Sequence, residues 1–266
     1  VSNRSAASAL LALCFAPAAW AGDELYLRWD NCHGDGGVYN KVFACDTNSG
    51  TEVLVGSFRL AATATFSTAS FNVDLAAIAP PMPSWWSLRS SSPPGCRSAS
   101  LSASFSPPAT STACVDPWTE LGGVGGVSMA VPQIPGGARI SGTVSVPVPL
   151  TFTAEAGREI FAFQLRINHA RTAGEGSCSG CSTPICIGWG YARFYSSQGG
   201  SFDIFGANTP GNGSNVTWQS GAVATTIDPC PAPASPNCRL TAFYMQCQSL
   251  TPVRGSTWGS IKSLYR

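Results

Sequence analysis

The chain has 266 residues, a formal net charge of +1, and 11% charged against 44% apolar residues. The apolar share supports a true core and excludes a disordered chain. The balanced charge excludes the electrostatic footprint of a binder of nucleic acid or anionic membrane. Gly, Ser, Thr and Pro fill the place of charged residues, favouring strands and turns over long helices.

In chain order, residues 1–21 read as a signal peptide. Arg4 gives the positive start, Ala9 to Phe15 an apolar run too short to span a bilayer, and Ala19-Trp20-Ala21 a small-x-small cleavage pattern. The mature chain is then expected from Gly22, with 22–266 as a single domain. Val at position 1 fits a bacterial alternative start codon read literally. Of 11 cysteines, loss of Cys14 leaves an even set, which in an exported chain reads as five disulfides.

Leu25, Leu27 and Trp29 alternate with Glu24, Tyr26 and Arg28, predicting a first strand; Lys41 to Cys45 reads as a second. If these form a hairpin, Cys32 pairs with Cys45. Glu52 to Leu60 and the stretch around Phe71, Val73 and Leu75 follow as strands, the latter with Asn72 and Asp74 outward. Ala79 to Pro94 is a proline-rich crossing that carries Trp85 and Trp86. Cys96 and Cys114 bracket a weak strand over Leu101 to Phe105, close enough for a local bridge. The glycines of Gly122 to Gly126 mark the one place where two lobes could divide. Pro147 and Pro149, falling on one side of a strand from Ile140 to Leu150, predict an edge strand.

The centre of the chain is two strands joined by a cysteine-rich loop. Phe161, Phe163, Leu165 and Ile167 share one face, and Ile185, Ile187, Trp189 and Tyr191 share another. Cys178, Cys181 and Cys186 lie between; one bridge is expected within this group, with the third cysteine reaching Cys247. Cys230 and Cys238 would close a loop of their own. Ser196 to Ser220 reads as loop-rich, Leu240 to Cys247 and Ser256 to Arg266 as last strands. The whole predicts an all-β, disulfide-stapled antiparallel β-sandwich or jelly roll.

Few motifs carry chemistry. Cys178, Cys181 and Cys186 with His169 could form a zinc site, but export favours oxidation, and His169 continues a buried face. Asp46, Asn48, Gly50 and Glu52 place oxygens at alternate positions, as calcium loops do, and equally suit a tight turn. Trp85 or Trp86 could stack on a sugar ring; two packed loop anchors are the plainer reading. A hydrolytic triad would have to draw on His33 or His169, and no Gly-x-Ser-x-Gly elbow occurs. No phosphate-binding helix follows the glycine run.

Leu27-Arg-Trp-Asp-Asn-Cys32 with Asp35-Gly-Gly37, Phe43-Ala-Cys-Asp-Thr-Asn48, Pro83-Ser-Trp-Trp86, Cys178-Ser-Gly-Cys-Ser-Thr-Pro-Ile-Cys186 and Ser256-Thr-Trp-Gly-Ser-Ile-Lys-Ser-Leu-Tyr-Arg266 resemble an uncharacterised family of bacterial secreted proteins. The resemblance spans most of the mature chain and departs around Cys230 to Cys238. It implies secretion and one continuous domain, and it transfers no catalytic residue. The expectation is therefore a non-enzymatic extracellular protein with a structural, surface or adhesive role. The alternatives are a carbohydrate-binding module with a cell-surface or extracellular glycan as partner, and a secreted hydrolase. No cofactor other than calcium, and no nucleic-acid partner or membrane span, is expected.

Overall fold

Among the described residues, alternation of apolar and polar residues builds fifteen strands, joined by turns and two short 3-10 segments. They are β1 (Glu24–Trp29), β2 (Asn40–Lys41), β3 (Thr51–Arg59), β4 (Ala64–Phe66), β5 (Thr68–Ala77), β6 (Leu101–Ser104), β7 (Val124–Ala130) and β8 (Gly137–Ser145). There follow β9 (Phe152–Ala154), β10 (Ile160–Asn168), β11 (Ile185–Tyr195), β12 (Ser201–Phe205), β13 (Asn215–Trp218), β14 (Ala222–Thr226) and β15 (Met245–Ser249). The structure is a computed structural model and describes residues 22–91, 93–130, 136–197, 199–206, 213–226 and 245–249. The expected signal segment, the Cys230–Cys238 loop and the terminal strand lie outside the described residues.

A four-stranded sheet, β1-β3-β10-β6, faces a seven-stranded one, β2-β13-β11-β5-β8-β7, in which β12 also pairs with β11. Aromatic rings fill the layer between them. Phe163 of β10 stacks on Phe71 of β5 at 4.0 Å and meets Trp189 of β11 at 4.9 Å. Phe58 of β3 lies 4.6 Å from Phe194 of β11, and Trp29 of β1 5.8 Å from Trp218 of β13. The expected all-β sandwich is thus the architecture.

Two bulges alter the expected faces. On β10 the pairing with β3 shifts between Phe161 and Phe163, so these rings fall on opposite sides of their sheet. On β11 the shift falls between Trp189 and Tyr191. Trp189 stays inside, while Tyr191, Arg193 and Tyr195 turn outward opposite Asn72, Ser70 and Thr68. Tyr191 is therefore not in step with Ile185, Ile187 and Trp189, because Gly190 adds one residue to the count.

Other expectations are corrected. The proline-bearing stretch is not an edge strand: β8 ends at Ser145, before Pro147, and lies between β5 and β7. Gly125 and Gly126 divide no lobes; they belong to β7, paired with Val144 and Thr143. The expected hairpin shrinks to one antiparallel pair, Trp29 with Val38; β2 itself runs parallel to β13, and the ladder partner of β1 is β3.

Two of the expected local pairings, Cys32–Cys45 and Cys96–Cys114, are corrected; Cys230–Cys238 lies outside the described residues. Among the described residues the bridges are Cys32–Cys114, Cys45–Cys181, Cys96–Cys178 and Cys186–Cys247, with sequence separations of 82, 136, 82 and 61. No bridge forms within the Cys178, Cys181, Cys186 group; each of the three leaves for a different partner. The expected link from this group to Cys247 is made by Cys186. It joins β11 to the β14–β15 hairpin.

Candidate functional site

Two regions gather polar side chains in designed-looking order: the loops at one end of the sandwich and the outer face of the larger sheet. At the loop end, Trp85 and Trp86 are both 0% exposed. Trp85 stacks on Trp218 at 5.1 Å, Trp86 meets Trp218 edge-on at 5.5 Å, and the two lie 5.0 Å apart. Trp85 Nε1 donates to Thr172 Oγ1 at 2.9 Å. The loop carrying them is folded back onto the core by Trp85 N donating to Ser179 O. Neither ring offers a face to a ligand, which corrects the expectation of a sugar platform here.

Arg97, 1% exposed, holds its guanidinium 3.5 Å over the Trp85 ring. Its hydrogen bonds go to the carbonyls of Ala170, Trp85 and Asn168 rather than to a carboxylate. Burial pushes its pKa down to about 9, which leaves it a cation at neutral pH. No sequence pattern distinguishes this arginine; only the assembled loops do.

The calcium reading does not fit the geometry. Asn48 Oδ1 accepts from Thr172 N at 2.7 Å and Ala173 N at 2.9 Å, tying two loops together. Glu52 binds His169 Nε2 at 3.0 Å through one oxygen and Lys41 Nζ at 2.8 Å through the other. A lysine on that carboxylate repels a dication. Gly50, at φ +105°, lies against the His169 ring, where a Cβ would meet Nδ1 at 2.9 Å; Asp46 is exposed. The loop is a strut and not a cradle.

The zinc reading falls because Cys178, Cys181 and Cys186 are all disulfide-bonded. Among the described residues, the one group that gathers three metal-ligating atoms is Cys32, Asp35 and Cys114. Its two sulfurs already form a disulfide.

Neither histidine has triad geometry. His169 is buried, stacked on Phe43 at 3.8 Å, and bonded to the main-chain oxygen of Ser49 and to Glu52. The His33 ring lies flat on Tyr26 at 4.3 Å. Its main-chain N–H, with that of Gly34, donates to the buried Glu159, which also accepts from Ser57 Oγ at 2.5 Å. Burial, and then the nearby Arg28 cation, lower the His33 pKa. Burial alone would raise that of Asp35, but hydrogen bonds from Thr112 and Ala113 outweigh it and hold it low.

The outer face of the seven-stranded sheet is different. Register sets its side chains in rows: Tyr195, Thr68, Ser145 and Val124; then Arg193, Ser70, Thr143 and Gly126; then Tyr191, Asn72, Ser141 and Ser128. Successive rows are about 6.7 Å apart along the strands. Most of these residues line an open groove of about 540 Å³, within the ~300–1,000 Å³ usual for ligand sites. Cross-strand bonds order its floor, Ser70 to Thr143 at 3.0 Å and Ser141 to Asn72 at 2.8 Å, and the adjoining row of Tyr195, where Thr68 bonds Ser145 at 2.8 Å.

The β11 wall of the groove is held by ions. Arg193 forms a two-pronged pair with Asp203 of β12 at 2.7 and 2.8 Å. The Tyr191 hydroxyl donates to the same carboxylate at 3.0 Å. That hydrogen bond to Asp203 comes first among the influences that raise the Arg193 pKa; Tyr195 adds another. Burial, and then the Asp203 charge, raise the Tyr191 pKa.

Sequence reasoning missed this face. The available signal was that outward positions of β5 and β8 are Ser, Thr and Asn where a solvated sheet usually shows Lys and Glu.

No family model matches the chain, and no curated protein matches it. What the fold itself defines is an all-β, antiparallel, disulfide-stapled protein. Among the described residues, no helix is long and apolar enough to cross a membrane. The four disulfides suit an oxidising compartment.

Proposed function

We propose that this is a secreted bacterial protein without a catalytic role, acting by contact outside the cell as a structural, surface or adhesive module. The observation that carries the reading is how the polar groups are used. Both histidines, Glu52, Glu159 and Arg97 are committed to holding loops together, and ordered polar side chains on an open surface occur on the outer sheet face. The disulfides support an extracytoplasmic location, and the resemblance to secreted bacterial proteins agrees with it.

The test begins with fractionation of cells producing the tagged chain. It is expected outside the cytoplasm, with Cys32, Cys45, Cys96, Cys114, Cys178, Cys181, Cys186 and Cys247 closed to alkylation after denaturation without reductant. Cytoplasmic protein with alkylatable thiols would overturn the location. Turnover of an ester, peptide or glycoside substrate that disappears in His169→Gln would overturn the absence of catalysis.

A further inference from the structure

We infer that the groove on the outer face of the seven-stranded sheet is a binding site for a neutral glycan chain. This rests on the contact role proposed above and gives that role a ligand. A ligand here meets three kinds of group, and together they describe a sugar.

The first is paired hydroxyls. In Ser70–Thr143 on the floor, and in Thr68–Ser145 in the adjoining row of Tyr195, each hydroxyl pair shares one proton between two oxygens. One O–H and several lone pairs per couple remain for a partner, so the floor both donates and accepts. Sugar hydroxyls have the same dual character. A carboxylate or phosphate would leave the acceptors unmatched.

Charge is the second. Arg193 is the charged residue of the lining, and Asp203 already neutralises it with two short bonds. Beyond the last row, Arg139 is paired with Asp74 at 2.6 and 2.9 Å. The surface thus presents fixed, compensated dipoles and no net field, which favours an uncharged ligand over an ionic one.

The third is an aromatic ring at the mouth. Tyr195 is 39% exposed, beside Thr68 in the first row, and Val124 at the far end of that row is 71% exposed. An exposed ring next to hydroxyl couples suits a pyranose, which has an apolar C–H face and a polar edge.

A peptide strand is disfavoured. β5 and β8, which carry the hydroxyl couples, are each paired on both sides, so a strand could add only at β7, which ends the sheet at the margin of the groove. A long ligand would cross the rows, because the groove is open.

Gly126 provides a way to close the site without disturbing the fold. A Cβ there meets nothing within 4 Å, and its φ lies outside the left-handed region. Gly126→Leu therefore projects a side chain into the groove from an unstrained strand position.

The experiment is calorimetric titration of the oxidised protein with linear hexasaccharides of glucose, xylose, mannose and N-acetylglucosamine. An acidic oligogalacturonide and an extended peptide library run alongside. At least one neutral hexasaccharide is expected to bind. Tyr195→Ala and Gly126→Leu should each weaken it by about tenfold or more, with an unchanged thermal midpoint. The sugar assignment is overturned if no neutral saccharide binds, if the acidic chain or a peptide is preferred, or if both variants bind as the parent does. Should the neutral panel be blank while the oxidised protein is still exported, the ligand is wrong and the contact role survives. Cytoplasmic, reduced protein would remove the role itself.

Discussion

The loop end of the sandwich and the outer face of its larger sheet are both rich in polar atoms, and they use them in opposite ways. At the loop end, Arg97, His169, Asn48 and the indole nitrogens of Trp85 and Trp218 all bond to carbonyls, hydroxyls or main-chain N–H groups of neighbouring loops. Two disulfides, Cys45–Cys181 and Cys96–Cys178, cross the same region. On the sheet face the hydroxyls bond sideways to one another and keep part of their capacity for solvent or a ligand. Dense polar bonding at the first region holds its loops in place, while the bonding at the second leaves capacity for the ligand proposed above. A reader of the sequence sees cysteines, tryptophans and a histidine at the first and looks there for function, which is where the folded protein is least available.

Mutations should separate the two regions by size of effect. Removing the longest link with Cys45→Ala and Cys181→Ala together should cost about 4–5 kcal/mol, read as a lower urea midpoint. Trp218→Ala, which empties the space between Trp29, Trp85 and Trp86, should cost about 3–5 kcal/mol by the same measurement. If either left stability unchanged, the loop end would not be the rigid partner in the comparison. Arg97→Met should cost about 2 kcal/mol, because three carbonyls, that of Trp85 fully buried, lose their donor.

Acid should act on the turn at Cys32–Cys114 before it acts on the sheet face. The folded pKa of His33 is lowered, so below about pH 6.5 the unfolded chain takes up a proton that the fold resists. Stability is full above that pH and falls as pH drops through it. Asp35 also has a lowered folded pKa, so it adds a second fall below about pH 4. His33→Phe keeps a ring on Tyr26 and should abolish the first fall while leaving the second, as seen in thermal midpoints across pH. The smallest effect belongs to the open face: Tyr195→Ala should change stability by no more than about 0.5 kcal/mol. A larger loss would mean that this tyrosine is structural.

Much of the fold was legible because strand alternation is a local property. The spans of β1, β3, β5, β10 and β11 follow from their own residues. The faces were less secure. One inserted residue, Gly190, turns Tyr191 and Tyr195 to the outside, and nothing near it in sequence announces a bulge. The groove could not be read for that reason. It needs rows assembled from four strands that are scattered between Thr68 and Tyr195. The loop motif at Asp46 to Glu52 misled because oxygen spacing is local, whereas the partners that consume those oxygens, Thr172 and His169, are more than a hundred residues away.

From the chain alone came the all-β class, the presence of a disulfide framework and most strand positions, since each depends on neighbours in sequence or on composition. Which cysteines meet, which tryptophans are hidden, and which face carries ordered hydroxyls were decided only in three dimensions. Pairing and burial are properties of distance in space, and antiparallel sheets bring together residues that the sequence keeps far apart.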